Sequence, residues 1–360
     1  MSDIWQPKYT LTNSIVNGLT AIEAAKTNVE SACLSPMSLA ELSRQARVRA
    51  THYSTRIEGN RLTLEEAEEV VAVRKKVIHG RERDVAEVRN YWDALDWAES
   101  QADAGKPVTE DLVQRLYAMT MQGKRCRIVP YRSSQNVIRD SVTGGIVYMP
   151  PEASDVATLM ATMIKWIRQA DLSGVPTIIA AGLAHYQYVT IHPHYDGNGR
   201  TARLLATYLL HLGGYGLSGI YSLEEYHSRD IQAYYNALDV GGHHNYYMGR
   251  SEADLTQWLE YYVQVVKTVF DFIGNEAEAH SGPPGKAQIN ELSSLDRRAR
   301  LVLALFSKQS TINSADVAQA IGLSERMARI CLAKWVDDGW LKVADPSRRG
   351  RKYSLTANDG

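Results

Sequence analysis

The 360-residue sequence predicts a mainly α-helical protein with one β-hairpin in its middle and a winged helix-turn-helix at its C-terminal end. Apolar residues recur at helical spacing, between recognisable caps, through most of the first 275 positions. Two short β-prone runs, 127–132 and 146–151, flank the turn-forming sequence DSVTGG at 140–145. After the stretch GPPGK at 282–286, the pattern changes to three short helices and a β pair.

The elements follow in order. Ser35-Pro36 offers a cap and a proline at the first helical position, and the helix it opens runs to Ile57-Glu58, where Gly59 stops it. Thr63 and Glu66 have the spacing of a capping box, which starts the next helix. Amphipathic helices are expected at 84–99 and 109–122. Beyond the hairpin, helices are expected at 154–170, 176–190, 199–212, 222–239 and 251–275. The C-terminal pattern reads as a helix at 296–308, a second from Asn313, a turn at Gly322, a third helix capped by Ser324, and strands at 340–343 and 352–355. The implied organisation is an N-terminal helical region (1–105), a core (106–280), a linker (281–289) and the winged helix-turn-helix (290–360).

Lys and Arg total 40 against 41 Asp and Glu, so any electrostatic attraction to nucleic acid must be local. Residues 290–360 hold 12 Lys/Arg and 8 Asp/Glu. Arg326 and Arg329 on the third helix and Arg348, Arg349 and Arg351 on the wing could meet phosphates, and DNA binding and protein docking both stay open there. Cys33, Cys126 and Cys331 are far apart and lack zinc-ligand spacing, which fits reduced thiols. No signal-peptide pattern opens the chain and no run is apolar enough to span a bilayer, so a cytoplasmic protein with no membrane partner is expected.

The stretch HPHYDGNGRTAR, 192–203, concentrates the chemistry. The helix-forming run after it puts Gly197, Asn198 and Gly199 at a helix N-terminus, where unpaired N–H groups and the dipole favour an anion. His192 can take a proton, its ordinary pKa being about 6.5. Asp196 could hold Mg²⁺, which prefers carboxylate and phosphate oxygens, or could serve only as a helix cap. Asn198 and the glycine N–H groups could cradle an oxyanion, and Arg200 and Arg203 could both reach phosphates. His192 and His194 lack the carboxylate or cysteine partners of a metal pair. His243-His244 reads as a solvated turn.

These residues resemble the signature H-P-F-x-D-G-N-G-R-x-x-R of the Fic (filamentation induced by cAMP) domain family. His192, Pro193, Asp196, Gly197, Asn198, Gly199, Arg200 and Arg203 match, and His194 stands where phenylalanine is usual. That phenylalanine packs inward and helps set the loop. The likeness extends over about residues 50–275, and residues 127–151 resemble the family's flap, which positions a target hydroxyl by strand addition. It implies a Fic-type helical bundle and transfer of AMP from ATP, with Mg²⁺, to a Ser, Thr or Tyr hydroxyl of a protein, the chain itself included. His192 would be the base, Asp196 the metal ligand, and Gly197, Asn198, Gly199, Arg200 and Arg203 the phosphate site. The death-on-curing kinases of the family carry lysine at the second glycine, so Gly199 favours AMP transfer.

Ser54, Glu58 and Gly59 similarly resemble the family's inhibitory motif [S/T]-x-x-x-E-[G/N], in the class whose inhibitory helix precedes the core. The resemblance implies that Glu58 pairs with Arg203 and takes the place of the ATP γ-phosphate. Enzymatic removal of AMP and an ATP-sensing DNA-binding regulator are the alternatives. A pure sensor needs no hydroxyl-positioning hairpin. Monomer and homodimer are both open.

Overall fold

The structure is a computed structural model that describes residues 4–32, 34, 36–73, 76–139, 144–279, 297–306, 309–347 and 350–356. The Ser35 cap, most of the 140–145 turn, the 281–289 linker, Cys33, Arg348 and Arg349 lie outside the described residues. Helices dominate. Helix α1 (Asn13–Ser31) begins behind Thr12, whose side chain accepts from the Ile15 N–H. The helices α2 (Pro36–Ile57), α3 (Leu64–Ala72), α4 (Glu82–Asp103) and α5 (Glu110–Gln122) follow. Thr63 and Glu66 form the reciprocal capping box before α3, and Thr109 caps α5.

The hairpin pairs β1 (Ile138–Arg139) antiparallel with β2 (Ile146–Tyr148). Its first strand therefore lies later than the expected run at 127–132. That run is extended but unpaired, because Arg132 is drawn under the histidine loop: its N–H donates to the Pro193 carbonyl at 2.9 Å. Then come α6 (Ala153–Leu172), α7 (Thr177–Ile191) and α8 (Asn198–Leu210), the last running into a π-helical turn at His211–Tyr215. The single helix expected at 222–239 is two, α9 (Leu223–Arg229) and α10 (Ile231–Leu238). Asp230 breaks them because its carboxylate caps the second, accepting from the Ala233 N–H at 2.9 Å. Helix α11 (Thr256–Ala279) starts later than the expected 251, since Arg250–Glu252 forms a separate 3₁₀ turn.

At the C-terminal end, α12 (Arg297–Phe306), α13 (Ser314–Ile321) and α14 (Glu325–Asp337) precede the antiparallel pair β3 (Leu341–Asp345) and β4 (Lys352–Leu355). Asn313 and Asp316 form a capping box, Gly322 ends α13 in the left-handed region at φ 66°, and Ser324 caps α14. Ile312 bridges Tyr353, which ties the start of α13 to the hairpin.

One continuous apolar core runs from Ile15 in α1 to Ala277 in α11, so the N-terminal helices and the 106–280 region share it. A second cluster gathers Val302, Phe306, Leu332 and Trp335, and it takes in Ala40 from the N-terminal end of α2. Helix α2 therefore contributes to both cores. At the centre stands α7, buried at every residue from Ile178 to Tyr188, as a helix apolar on all faces must be. It delivers the histidine loop.

Close approach of α7 to α11 depends on Gly182, whose carbonyl accepts from Trp258 Nε1–H at 2.7 Å. A Cβ there would lie 2.7 Å from the Tyr262 ring, which is fully buried. Gly182→Ala gains about 1 kcal/mol of helix propensity. Overpacking against a ring that cannot move costs about 1–3 kcal/mol. A net loss of stability is expected, read as a lower midpoint in urea unfolding; an unchanged or higher midpoint would contradict this packing.

Candidate active site

The loop between α7 and α8 owes its shape to a residue in an unusual conformation. His192 ends α7 in the left-handed region at φ 52°, a position that few non-glycine residues hold. Its Nδ1 lies 3.2 Å from the Val189 carbonyl. A carbonyl only accepts, so the proton sits on Nδ1 and Nε2 keeps its lone pair. Burial pushes the imidazole down to about 4, against the raising effects of the Val189 carbonyl and Glu58. At neutral pH His192 is an uncharged base.

Asn198 holds the loop closed. Its amide oxygen accepts from His194 N–H at 3.1 Å and its Nδ2 donates to the His194 carbonyl at 2.8 Å. The side chain is thereby spent, and what Asn198 can offer an anion is its backbone N–H, a correction to the expected side-chain cradle. His194 takes the inward place of the usual phenylalanine: it is 2% exposed and stacks on Tyr117, centroids 3.4 Å apart and planes 3° from parallel. Its Nε2 is buried without a partner. Burial and the neighbouring His192 push its pKa down to about 4.

Gly197 caps α8 at φ 76°, and its N–H donates to Asp196 Oδ1 at 2.6 Å. The same carboxylate oxygen lies 3.4 Å from Arg200, leaving Oδ2 toward solvent, 4.0 Å from Arg83. Arg200 also faces Glu87 of α4 at 3.7 Å, an acidic neighbour that no sequence motif signalled. Among the described residues no cluster of three or more side chains could hold a metal ion. A single exposed carboxylate fits Mg²⁺, which is commonly held by one or two carboxylates with substrate phosphates filling the shell.

Arg203 is the most enclosed member, its side chain 2% exposed. Its Nε donates to Ser54 Oγ at 3.0 Å, and its second terminal nitrogen donates to the Ser54 carbonyl and to Glu58 Oε1, both at 2.8 Å. Burial alone would lower the guanidinium's pKa, but Glu58 outweighs it and the pKa lies above the usual value. Helix α2 ends at Ile57, so Glu58 sits in the closing turn, its N–H bonded to the Thr55 carbonyl at 3.0 Å, and Gly59 follows at φ 90°. Asn60, buried next to it, donates to Glu87 at 3.0 Å and to the Asp84 carbonyl at 2.9 Å, tying this turn to α4. A Cβ on Gly199 would overlap Glu58 Oε1. The Glu58–Arg203 pair thus forms only over a bare backbone at position 199.

Two further residues position the hairpin, and sequence reasoning passed over both. Arg132, 3% exposed, donates to the carbonyls of His192 (2.9 Å), Ser134 (3.2 Å) and Pro151, and to Gln135 Oε1 (3.1 Å). Arginine in a β-prone run gave no sign of such convergence. The exposed Tyr195 hydroxyl accepts from the N–H groups of Ser133 and Ser134 at 3.2 and 3.1 Å, and these serine donors lower its pKa to about 8. The His243-His244 turn is paired rather than solvated: the His244 carbonyl accepts from Met149 N–H at 2.8 Å, and its Nδ1 lies 2.9 Å from the Val147 carbonyl.

His192, His194 and His227 are held near 4, 4 and 3, below the ordinary value of 6.5, chiefly by burial. Between about pH 6.5 and 4 the unfolded chain binds protons that the native one refuses, so stability falls as pH drops through this window. His194→Phe should shallow that slope and raise stability at pH 5, because it removes a buried unpartnered nitrogen. Urea unfolding at pH 7, 6 and 5 measures both, and a slope identical to that of the parent would contradict the buried neutral state.

Residues 107–210 match the family model described as Fic/DOC family. The protein adenylyltransferase Fic of Drosophila mojavensis is 31% identical over 185 residues, 49% of this chain and 34% of the relative. The same-named protein of Drosophila erecta is 28% identical over 181 residues, 50% of this chain and 35% of the relative. The matches thus span about a third of these curated relatives. Among solved structures, a Fic family protein from Desulfovibrio desulfuricans G20 is 25% identical with a TM-score of 0.61, covering 99% of this chain and 100% of that one. A Fic domain containing signaling protein from Bacteroides thetaiotaomicron VPI-5482 has the same fold, at 22% identity and a TM-score of 0.61, over 75% of this chain and 100% of that one. Motif, family model and fold together identify the chain as a Fic-domain protein.

Proposed function

We propose that the protein transfers AMP from ATP to a hydroxyl of a protein and that Glu58 restrains the reaction. His192 Nε2 removes the proton of the incoming hydroxyl. The freed oxygen attacks the α-phosphorus, the bond to the α–β bridging oxygen breaks, and pyrophosphate leaves. The N–H groups at the start of α8 and the Arg200 and Arg203 guanidiniums bind the phosphates. Asp196 holds Mg²⁺, which neutralises phosphate charge when bound. The observation that carries the reading is the neutral His192 base beside a phosphate-binding helix end whose arginine is already engaged by a carboxylate. The curated relatives named as adenylyltransferases support the same reaction class.

A charge-assisted hydrogen bond contributes about 1.5–3 kcal/mol, which corresponds to about ten- to a hundredfold in a binding constant. Glu58→Gly should therefore raise auto-modification by labelled ATP by about that factor, and equal rates would remove the restraint. His192→Ala should abolish label transfer while ATP binding persists; unchanged transfer would sink the enzymatic reading. With its pKa near 4, the base predicts transfer rates without an acid limb down to about pH 5. An acid limb centred near 6.5 would place a different group, or a more open loop, in the rate-determining step. Incubation with a pre-modified target in place of ATP separates this reading from one of AMP removal.

The C-terminal helices and hairpin have the element order of a winged helix-turn-helix, and we propose α14 as its contact surface. Arg326 and Arg329 face solvent there, Arg329 paired with Glu325 at 3.0 Å, beside Met327 and Ile330, which are 41% and 56% exposed. Such a mixed surface suits either DNA or a protein. Replacing Arg326, Arg329 and Arg351 together should weaken binding to pooled duplex DNA and flatten its salt dependence if DNA is the partner. Absence of binding at low salt assigns the surface to protein docking.

A further inference from the structure

A cavity of about 690 Å³ lies away from the histidine loop, between α2, α4, the turns at 211–219 and α12. Its size is that of a small-molecule site, roughly 300–1,000 Å³. Leu39, Leu217 and Leu303 supply apolar wall from three separate elements. The polar lining is mostly acidic: Asp96, Glu99 and Asp103 of α4 face a single permanent cation, Arg47 of α2. Arg47 is bonded to Glu99 and lies 3.3 Å from Asp96, and His211 Nε2 lies 2.7 Å from Asp103.

Three features distinguish this space from a packing gap. Ser43 is 4% exposed, lines the cavity, and makes no hydrogen bond among the described residues, so a buried hydroxyl is left with unused capacity. Leu217 and Ser218, consecutive on the wall, both hold positive φ (43° and 55°). Two adjacent non-glycine residues in that region store strain of the kind that collects at ligand sites. The carboxylates outnumber the guanidinium, and a cleft of one sign between low-dielectric walls concentrates the opposite charge. A carboxylate offers about four lone-pair positions, so those already bonded to Arg47 can accept further donors.

We propose that this cavity binds a small organic cation, an ammonium or guanidinium group on a short aliphatic chain. The charged end sits among Asp96, Glu99 and Asp103 with Ser43 Oγ accepting an N–H, and the chain lies along Leu39, Leu217 and Leu303. Binding itself stands apart from the transfer reaction. Any influence on Glu58 travels along α2, which carries Ser43 and Arg47 as well as Ser54, and rests on the function proposed above.

Calorimetry of the full chain with agmatine and with putrescine tests the site, with sodium butyrate at matched ionic strength as the control. Saturable one-to-one binding of either amine, with none for butyrate, is expected. Asp103→Asn, at a side chain 71% exposed and so safe for folding, should weaken that binding about ten- to a hundredfold. Ser43→Leu should abolish it by filling the space, and His192→Ala should leave it unchanged. The proposal is overturned if neither amine saturates at millimolar concentration, or if Asp103→Asn binds as the parent does. Loss of label transfer in His192→Ala with amine binding intact keeps the two readings separable.

Discussion

A guanidinium sealed inside a helical core needs oxygen atoms at fixed places around it, and Arg203 imposes that need on everything near it. Desolvating a charge costs several kcal/mol unless hydrogen bonds and a counter-charge are supplied. Helix α8 cannot supply them from its own surface. They come from the end of α2, 149 residues earlier for Ser54 and 145 for Glu58. The docking of α2, the termination of that helix at Ile57 and the absence of a side chain at Gly199 all follow from satisfying one buried charge. Tyr91 and Glu224 complete the surroundings, the buried Glu224 accepting from Tyr91 at 3.1 Å.

The histidine loop obeys a second constraint, that of shape. A left-handed residue at the end of α7 and a left-handed cap at the start of α8 turn the chain sharply enough to face His192 toward the α8 N–H groups. Asn198 staples the loop from within, and Arg132 staples it to the hairpin from outside. The loop, the hairpin base and the turn at 244–246 are thus one hydrogen-bonded unit resting on α7. Preorganisation of this kind costs nothing at the moment of reaction, because the dipoles already point where charge will develop.

Much of this was legible in the sequence wherever the determinant was local. Thr63 with Glu66, Thr109, Asn313 with Asp316, Gly322 and Ser324 announced helix ends because a cap is read from residues three apart. The motif residues from His192 to Arg203 came together in space because they were together in the chain. What sequence reasoning misplaced depended on distant partners. The run at 127–132 had strand composition, but Arg132 found five acceptors around the histidine loop. Asp230 broke a helix whose apolar period continued through it. His194 stood out as an odd letter, and only the Tyr117 ring beneath it explains how a histidine fills an aromatic slot.

The pairing of Glu58 with Arg203 joins two parts of one polypeptide, and that has a consequence for how it responds to its surroundings. A contact within a chain has an effective concentration fixed by the intervening structure, here helices packed on a common core, and not by how much protein is present. Diluting the protein leaves the pair as closed as before. Its release is therefore a first-order event, governed by what competes for Arg203 or loosens the end of α2. The fraction of molecules with Arg203 free is a property of each molecule, the same in a scarce protein as in an abundant one.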